Sequence, residues 1–416
     1  MSNYIPQEVW IDILTRLPIE TLIRCISVSK SWYSLITTPT FISQHLHRTT
    51  VANNDLLLVR NYSDNSKKEH YSLHFDNHTF DAYKTLDFPF MTPNHYFRVI
   101  GCSNGLLCLS DDQFCYNHTM ILWNPSIRKY VNLPCPRVTF NSHGPFMHSI
   151  GFGFNVANND YKVVRVVHLQ EPWGYKAPPE VEIYELSTGS WRSVNPMGFP
   201  YVVGERSSQA FLNGAVHWVG HYPNELGGPS GSLIVSFDMG NEVFGVIMVP
   251  EGLSFPPLQS RVAVLEECLS MIHFTWSLYG DTCCVWAMKQ YGVPESWTKQ
   301  FTVDLKEGLR GVFGFRKNGE ALMKKITSYR EIDTLVSYDP KSEQVKNLGV
   351  TGSPISFYVD NFVESLVLLD LVNGEFGRQP NCGEKKMLKG KWKIEEEHEE
   401  QVVAESEDQT DERGKL

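Results

Sequence analysis

Residues 5–46 read IPQEVWIDILTRLPIETLIRCISVSKSWYSLITTPTFISQHL. Proline suits the first turn of a helix and disfavours helical backbone in the residue before it. Pro6 and Pro18 therefore each predict a helix start, and Ser29 is placed to cap a third helix. The pattern is typical of three or four short amphipathic helices.

The first of these helices carries two apolar stripes. Val9 and Ile13 share one stripe, whereas Trp10, Leu14 and Leu17 share the other. A unit of about 40 residues is below the size at which a hydrophobic core stabilises itself without help. We therefore expect another protein to cover its excess apolar surface.

The same stretch resembles the F-box of the large plant F-box families across nearly the whole motif. Its LP, RC and VSKSW runs occur at the spacings of that family. The resemblance implies a small α-helical F-box over residues 1–46 that docks onto a Skp-family adaptor of a cullin–RING ubiquitin ligase. The alternative is an ordinary helical cap on the domain that follows. The residues expected to bind the adaptor are Ile5, Pro6, Val9, Ile13, Leu14, Leu17, Pro18 and Leu22, with Trp32 partly internal.

Composition indicates a chain of the cytoplasm, the nucleus or both. No apolar run of the 416 residues approaches the roughly 20 residues of a membrane span. The start MSNYIPQEVW lacks the basic and apolar segments of a secretory signal. Nine cysteines without a C-x-x-C pair favour free thiols over a disulfide framework.

The net charge of −10 belongs mostly to the end of the chain. Residues 395–416 contain 10 acidic and 2 basic side chains, which leaves −2 for the rest. With no basic stripe and no membrane span, we expect neither nucleic acid nor a membrane as partner. Residues 374–416 combine clustered charge with few apolar side chains, so they are predicted to form a disordered tail.

After a linker over residues 47–54, the helical period gives way to short β-type runs over residues 55–373. One aromatic residue recurs at the end of a strand at intervals of 48, 61, 53, 49 and 52 residues. Such a period matches a four-stranded propeller blade of roughly 40–50 residues plus loops. We therefore predict an all-β propeller of about six divergent blades. The recurring residues are Phe75, Trp123, Tyr184, Phe237, Trp286 and Tyr338.

Three Asn-Gly pairs, at 104–105, 213–214 and 318–319, each divide two β-type runs and predict tight hairpins between strands a and b. The first unit lacks a strand a, and the run SFYVDNFVESLVLLD at 356–370 is left over. We therefore expect this late segment to complete the first blade and close the ring, because closure removes the exposed sheet edges.

The layout also predicts which face binds a protein target. The a–b and c–d turns are short and lie on one face, whereas the b–c loops and the connections between blades lie on the other. Loops 169–180 and 220–232 are among the long ones, and they carry the aromatic and arginine side chains typical of protein interfaces. The candidates for target binding are Trp173, Tyr175, Tyr201, Arg206, Tyr222, Phe255 and Arg261.

Residues 151–167, GFGFNVANNDYKVVRVV, resemble the signature of the plant F-box-associated interaction domain. The runs SNGLLCL and LWNPSIRKYVNLP are similar to its upstream segments. Related plant proteins are often described as F-box/kelch-repeat proteins. This chain departs from the kelch pattern, because its only Gly-Gly pair, at 227–228, lies in a loop.

The chain carries none of the sequence signatures of a nucleophile elbow, a phosphate-binding loop or a zinc helix. His70, His74 and His78 could lie on one strand face, but a solvated face is the better interpretation than a metal site. We therefore predict no cofactor, no metal and no catalysis.

The expected function is substrate recognition in a Skp–cullin–F-box (SCF) ubiquitin ligase. The alternative is a propeller enzyme, or a small-molecule or glycan-binding module, with a helical appendage.

Overall fold

The computed structural model describes residues 6–52, 55–63, 66–90, 96–112, 119–171, 174–176, 178–196, 198–223, 229–250, 253, 259–276, 280–326, 332–353 and 356–371. The predicted tail and the candidates Ile5, Trp173 and Phe255 lie outside these ranges. In the described ranges, no helix combines the length and the apolar character needed to cross a membrane.

The chain begins with a helical domain, residues 6–52. Its helices are α1 (Gln7–Leu14), α2 (Ile19–Cys25), α3 (Lys30–Ile36) and α4 (Pro39–Ala52). Pro6 and Pro18 are the residues immediately before α1 and α2, with φ of −56° and −58°. The Ser29 hydroxyl accepts a 3.2 Å hydrogen bond from the Trp32 backbone N–H. The three predicted helix starts are confirmed.

Helix α4 runs through most of the predicted linker 47–54 and ends at Ala52. It is held against α1 by Arg48, whose Nη1 donates to the Thr15 hydroxyl at 2.9 Å and to the Asp12 carbonyl at 3.0 Å. His45 Nε2 lies 3.1 Å from the Leu17 carbonyl. Helix α4 therefore continues past residue 46, and its contacts with α1 stabilise the additional helical turn.

Among the described residues, the remaining elements are β-strands, apart from one short helix and a 3₁₀ turn at Pro294–Ser296. The first half of this domain contains β1 (Leu56–Ser63), β2 (Lys68–Phe75), β3 (Ala82–Leu86), β4 (Arg98–Ser103), β5 (Leu106–Ser110), β6 (Met120–Asn124), β7 (Lys129–Asn132), α5 (Phe140–His143), β8 (Phe146–Asn155), β9 (Asp160–Glu171), β10 (Gly174–Tyr175), β11 (Glu180–Glu185) and β12 (Ser190–Val194). The second half contains β13 (Val202–Val203), β14 (Ala210–Leu212), β15 (Ala215–Pro223), β16 (Pro229–Asp238), β17 (Phe244–Met248), β18 (Ser260–Leu265), β19 (Cys268–Thr275), β20 (Thr282–Met288), β21 (Trp297–Asp304), β22 (Leu309–Phe315), β23 (Ala321–Ile326), β24 (Asp333–Tyr338), β25 (Val345–Gly352) and β26 (Tyr358–Phe362).

These strands form six antiparallel sheets, and each sheet is one blade of a propeller. From the inner to the outer strand, the blades are β26-β1-β2-β3, β4-β5-β6-β7, β8-β9-β11-β12, β14-β15-β16-β17, β18-β19-β20-β21 and β22-β23-β24-β25, with β10 and β13 as short additions to blades 3 and 4. The predicted six-bladed, four-stranded architecture is confirmed. The six recurring aromatic residues all lie on the third strand of their blade.

Ring closure also follows the sequence prediction. The last strand, β26, pairs with β1 from Leu56 opposite Phe362 to Arg60 opposite Tyr358. It thereby supplies the inner strand that the first blade lacks. Closure leaves the inner edges of all six sheets facing a shared central channel.

Two of the three Asn-Gly pairs form the tight turns expected of them. Asn104-Gly105 has φ of 51° and 77°, and Asn213-Gly214 has φ of 51° and 75°. The third pair lies in a five-residue turn, because the last paired residues of β22 and β23 are Phe315 and Ala321. A further two-residue turn, Glu266-Glu267, has φ of 48° and 60° and gives no Asn-Gly signal in the sequence.

The residues after β26, 363–371, form a closing segment that links the propeller to the helical domain. The side-chain amide of Asn124 donates to the carbonyls of Ser365 at 2.9 Å and Val367 at 2.8 Å. Lys129 Nζ donates to the Leu369 carbonyl at 3.0 Å. One apolar cluster includes both the closing segment and the helical domain: Leu14, Ile19, Leu22, Ile36, Phe41, Ile42, Leu366, Val367, Leu368 and Leu369.

Six of the described cysteines are free thiols, in agreement with the sequence prediction. Cys135 is disulfide-bonded, so the prediction of free thiols is wrong at that position. Cys283 is buried and Cys284 is half-buried, as expected for successive positions on a strand. Burial raises the pKa of the Cys283 thiol to about 12, which makes it unreactive at neutral pH.

Candidate functional site

The helical domain exposes one apolar stripe and buries the other. Val9 is 44% exposed and Ile13 is 42% exposed, and Pro6 and Pro18 are exposed beside them. Large aliphatic side chains this accessible on adjacent turns of a helix form a surface suited to a partner protein. These four positions remain candidates for adaptor binding.

Leu14 and Leu22 require a correction. They are 1% and 0% exposed, because they belong to the apolar cluster shared with the closing segment. They stabilise the fold and offer no surface to an adaptor. Leu17 is half-buried at the edge of that cluster, and Trp32 is half-buried with its ring 5.5 Å from that of Trp10.

The structure adds two exposed side chains that the sequence analysis did not select. Val28 is 68% exposed and Tyr33 is 55% exposed, in and after the turn that leads into α3. Val28 lies in the turn between α2 and α3, and Tyr33 is in the middle of α3. They extend the apolar surface of the helical domain.

The helical domain lies on the face of the propeller that carries the a–b and c–d turns, which we call the short-turn face. Ile127 and Leu186, in c–d turns, and Phe154, beside an a–b turn, pack against the shared apolar cluster. Lys84 Nζ also lies 2.6 Å from Glu20 Oε1 of α2. The opposite face, formed by b–c loops and blade connections, is the long-loop face, and the helical domain leaves it open.

Two predicted loops on the long-loop face are largely extended hairpins. The b–c loop 169–180 is shortened by β9, which continues to Glu171 and pairs with β10. The b–c loop 220–232 is shortened because β15 and β16 pair as far as Pro223 and Pro229. Side chains in these segments are therefore held by sheet pairing instead of by loop packing alone.

Tyr201 and Tyr222 form an aromatic pair on the long-loop face. Their ring centroids are 5.1 Å apart in a T-shaped arrangement, and Phe199 packs behind Tyr201 at 5.1 Å. Tyr222 is 39% exposed and Tyr201 is half-buried. Tyr175, on β10, is also half-buried. Exposed, preorganised tyrosines are among the side chains that contribute most to protein binding.

Arg206 is held in place by backbone carbonyls of blades 2 and 3. Its Nε donates to the Asp112 carbonyl at 3.1 Å, and its backbone N–H donates to the His148 carbonyl at 3.0 Å. Its side chain remains 28% exposed. Arg206 therefore ties the connection into blade 4 to blade 2 and retains a small accessible surface.

The carboxylate of Asp112, beneath Arg206, is fully buried and ionised. Burial would raise the pKa of Asp112, but the ion pair with Arg98 and the hydrogen bond with His148 hold it well below its usual value. Burial lowers the pKa of His148 to about 4, so His148 is neutral near pH 7 and its Nε2 lies 3.2 Å from Asp112 Oδ2. Asp112, Arg98 and His148 therefore satisfy one another's charge and hydrogen-bonding groups, and their role is structural.

Arg261 is different from these paired arginines. It lies on β18, the inner strand of blade 5, and its side chain is exposed although protein surrounds it. Because the surrounding protein keeps water away from the guanidinium, the pKa of Arg261 is lower than its usual value. Within the described ranges it forms no hydrogen bond or ion pair.

Comparison with known proteins identifies the chain. The family described as "F-box associated beta propeller domain" matches residues 66–368, and the family described as "F-box domain" matches residues 4–44. The chain is a plant F-box protein with an F-box-associated propeller. The F-box protein CPR1 of Arabidopsis thaliana is 30% identical over 384 residues, covering 88% of this chain and 89% of that protein.

Two further relatives from Arabidopsis thaliana support the assignment. The F-box protein At3g07870 is 30% identical and covers 85% of this chain and 89% of its own. The F-box/kelch-repeat protein At3g23880 is 26% identical and covers 72% of this chain and 79% of its own. Among solved structures, the propeller domain of the trilobed protease from Pyrococcus furiosus has a TM-score of 0.38 and 10% identity, and covers 72% of this chain and 80% of that chain. That likeness is too distant to bear on function.

The F-box-associated propeller carries one further pair that the sequence analysis missed. Trp276, in the b–c loop of blade 5, is 50% exposed, and the Arg310 guanidinium lies 5.9 Å from its ring centroid. Arg310 Nη2 is 3.9 Å from Asp281 Oδ2, a long ion pair. Trp276 lies outside the long b–c loops that the sequence predicts at 169–180 and 220–232, and it carries no motif of its own.

His70 and His74 line a cleft of about 700 Å³ between blades 1 and 6. His74 stacks on Phe80 at 4.5 Å, and its Nε2 lies 2.9 Å from the Ser72 hydroxyl. In the part of the chain that the structure describes, no three His, Cys, Asp or Glu side chains are grouped in a way that could hold a metal ion. The cleft is a polar gap between blades of the F-box-associated propeller.

Proposed function

We propose that this F-box protein is the substrate-recognition subunit of an SCF ubiquitin ligase. In this proposal the F-box binds a Skp-family adaptor, and through it a cullin–RING ligase, while the propeller binds a protein target that is then ubiquitinated and degraded. The proposal includes action in the cytoplasm, the nucleus or both. The observation that supports it best is the arrangement of two separate surfaces on opposite sides of one molecule.

The first surface is the outward stripe of the F-box. Val9 and Ile13 remain exposed although the helical domain is otherwise packed on the propeller. A partner that covers them removes their apolar surface from water, which stabilises the complex by about 25 cal/mol per Å². The second surface is the long-loop face, where Tyr201, Tyr222 and Trp276 are accessible.

The mechanism requires no bond-making by this chain. Binding a target at one face and an adaptor at the other raises the concentration of the target's lysines near a ubiquitin-charged enzyme. The shared apolar cluster and the Lys84–Glu20 ion pair fix the F-box against the propeller. This attachment keeps the distance between the two surfaces nearly constant.

The adaptor contact can be tested by co-purification from plant extract. We expect V9R together with I13R to weaken adaptor binding by about 2 kcal/mol or more, roughly thirty-fold in Kd. The matched control is V243R, because Val243 is a 54% exposed valine of the propeller. Equal recovery of adaptor and cullin with V9R/I13R would overturn the proposal and favour a propeller enzyme or ligand-binding module with a helical appendage.

A further inference from the structure

Three arginines occupy nearly the same height at the long-loop end of the central channel. Arg98, Arg261 and Arg310 lie at the starts of the inner strands β4, β18 and β22. The pairs between the inner strand and the second strand of a blade can be numbered from the a–b turn. Arg98, opposite Ser110, and Arg261, opposite Ile272, are both in the fifth pair. Arg310, opposite Lys324, is in the fourth pair. All three side chains therefore start from the long-loop end of the inner strands of blades 2, 5 and 6. The Arg310 guanidinium turns toward blade 5, where its Nη1 donates to the carbonyls of Leu305 and Leu309, both at 2.9 Å.

The exposed side chain of Arg261 is directed into this channel. The inner strand of blade 5 contacts β14 and β15 on one side and β22 on the other. Both faces of the strand are thus covered by neighbouring blades. A side chain on it that remains exposed can reach water only through the channel or its mouth.

The three arginines differ in how far their charge is neutralised. Arg98 is neutralised by the buried Asp112, and its side chain is only 17% exposed. Arg310 has a single carboxylate, Asp281, at the long distance of 3.9 Å and is 34% exposed. Arg261 has no partner in the described ranges. A guanidinium enclosed by protein and left unpaired is unfavourable, and an anion placed beside it relieves that cost.

Guanidinium groups bind carboxylate and phosphate groups through parallel hydrogen bonds, so these two anions fit the site best. Trp276 beside Arg310 adds an exposed apolar surface that a free inorganic ion does not use. Nucleic acid is disfavoured, because the chain outside residues 395–416 has a net charge of −2 and carries no basic stripe. The features together point to an anionic side chain borne by a protein segment.

We propose that the channel mouth on the long-loop face binds an acidic or phosphorylated side chain of an extended target segment, with Arg261 as its principal contact and Arg310 beside it. This inference rests on the proposed function, since the segment belongs to the protein to be ubiquitinated. It names the chemistry by which the propeller distinguishes its targets.

The test uses the full-length chain bound to its adaptor and four pools of fluorescein-labelled nine-residue peptides. The pools have degenerate flanks and a fixed central Glu, phosphoserine, Gln or Lys, and binding is followed by fluorescence anisotropy. We expect the Glu or the phosphoserine pool to bind at least ten-fold more tightly than the Gln pool. The ratio between the Glu and phosphoserine pools shows which anion the site selects.

The variants R261Q and R261E assign the preference to this site. R261Q should abolish the preference for anionic pools, and R261E should shift it toward the Lys pool. The control is R128Q, which removes an arginine that is 78% exposed and lies on a c–d turn of the short-turn face. R128Q should leave all four affinities unchanged.

Three results would overturn the proposal. The four pools could bind equally, or the anionic preference could survive R261Q combined with R310Q. The preference could also emerge only after the ten acidic residues of 395–416 are changed to Gln, which would make the chain's own tail the occupant. Adaptor co-purification is measured for the wild-type chain and for every variant: intact adaptor binding without pool preference refutes this inference alone, whereas a wild-type chain that does not bind the adaptor refutes the proposed function.

Discussion

Asn124 illustrates how one side chain can secure the closure of the whole ring. It is fully buried in the c–d turn of blade 2, and its amide satisfies two carbonyls of the closing segment. Gly105 contributes from the adjacent a–b turn, since a Cβ there would lie 2.2 Å from the Val363 carbonyl oxygen. Two motifs typical of the family, SNGLLCL and LWNPSIRKYVNLP, thus serve to hold residues distant in sequence.

The Asn124 amide gives a direct test of this role. N124A leaves the buried carbonyls of Ser365 and Val367 without their donor, so it should lower the free energy of unfolding by about 1–3 kcal/mol. Urea denaturation of the purified chain measures the change. The control N241A removes an exposed amide from a c–d turn and should cost less than 0.5 kcal/mol, as is roughly typical of surface sites. Equal losses for both variants would contradict the structural role of Asn124.

Buried neutral histidines predict that the protein loses stability in acid. Burial lowers the pKa of His217 to about 4, and its Nδ1 and Nε2 lie 3.1 Å from the Ala210 carbonyl and 2.7 Å from the Tyr291 hydroxyl. In the unfolded chain the same side chain titrates near pH 6.5, so the unfolded state binds more protons between pH 6.5 and 4. The stability contributed by His217 is therefore complete above pH 6.5 and is lost as the pH falls through this window.

The variant H217Q should reduce this acid sensitivity. We expect the slope of unfolding free energy against pH to fall by about 1.4 kcal/mol per pH unit within the window. Chemical denaturation at several pH values between 4 and 7 measures the slope. Asp360, whose pKa burial raises to about 6, acts in the opposite direction in both proteins and cancels in the comparison. An unchanged slope would show that His217 does not remain neutral in the folded state.

Among the elements, β26 is the strand that completes blade 1 and closes the ring. It covers the inner edge of β1, and Arg60 of β1 donates from Nη2 to the Phe97 carbonyl at 2.9 Å and pairs with the buried Glu69. Without β26, blade 1 has three strands and an exposed edge, which favours aggregation. Because β26 is the last strand in the chain, this edge is covered last.

Two truncations separate the closing strand from the tail. A chain ending at residue 355 should be largely insoluble, because β26 and the closing segment are both missing. A chain ending at residue 371 retains both and should keep the Tm of the full-length protein within a few degrees. Soluble yield and thermal unfolding give the comparison. A folded, monomeric chain ending at 355 would show that closure by β26 is dispensable.

For the whole molecule, the main consequence is that the adaptor and target surfaces can act separately. The F-box packs on the short-turn face, and Tyr201, Tyr222 and Arg261 belong to the opposite, long-loop side. The two surfaces share no described side chain. We therefore expect little free-energy coupling between the two binding events.

Paired surface variants test this separation. Y201A/Y222A should reduce target capture while adaptor recovery stays unchanged, because truncating exposed aromatic anchors typically costs about 2 kcal/mol or more. V9R/I13R should show the reverse. Y130A, a 39% exposed tyrosine of blade 2, is the matched control for loss of an aromatic side chain. Proximity labelling in plant cells measures target capture, and loss of both partners in either variant would contradict independent surfaces.

Much of the architecture could be predicted from local signals. Pro6, Pro18 and Ser29 mark helix starts because their backbone preferences and hydrogen bonds act within a few residues. The aromatic period identifies six blades because each of the recurring residues lies on the third strand of its blade. The missing first strand and the unused run at 356–370 together predicted closure, and β26 pairs with β1 accordingly.

The surfaces were harder to predict, because exposure depends on neighbours far away in the sequence. Leu14 is buried in a cluster that includes residues 366–369, so the sequence does not distinguish its role from that of Ile13, one position earlier. Arg206 and Arg261 look alike in sequence, yet Asp112 and His148 hold the first and the channel exposes the second. Trp276 and the Glu266-Glu267 turn carry no motif at all.

The sequence alone determined the helical domain, the number of blades and the strand order, because turns, caps and alternating apolar residues act over short distances. The tertiary structure decided which apolar stripe remains accessible, how the F-box is fixed to the propeller and which arginine lacks a partner. Those properties depend on contacts such as the one between Arg60 and the Ser356 carbonyl, 296 residues apart at 2.5 Å. Such contacts form only when the ring closes, and no local pattern encodes them.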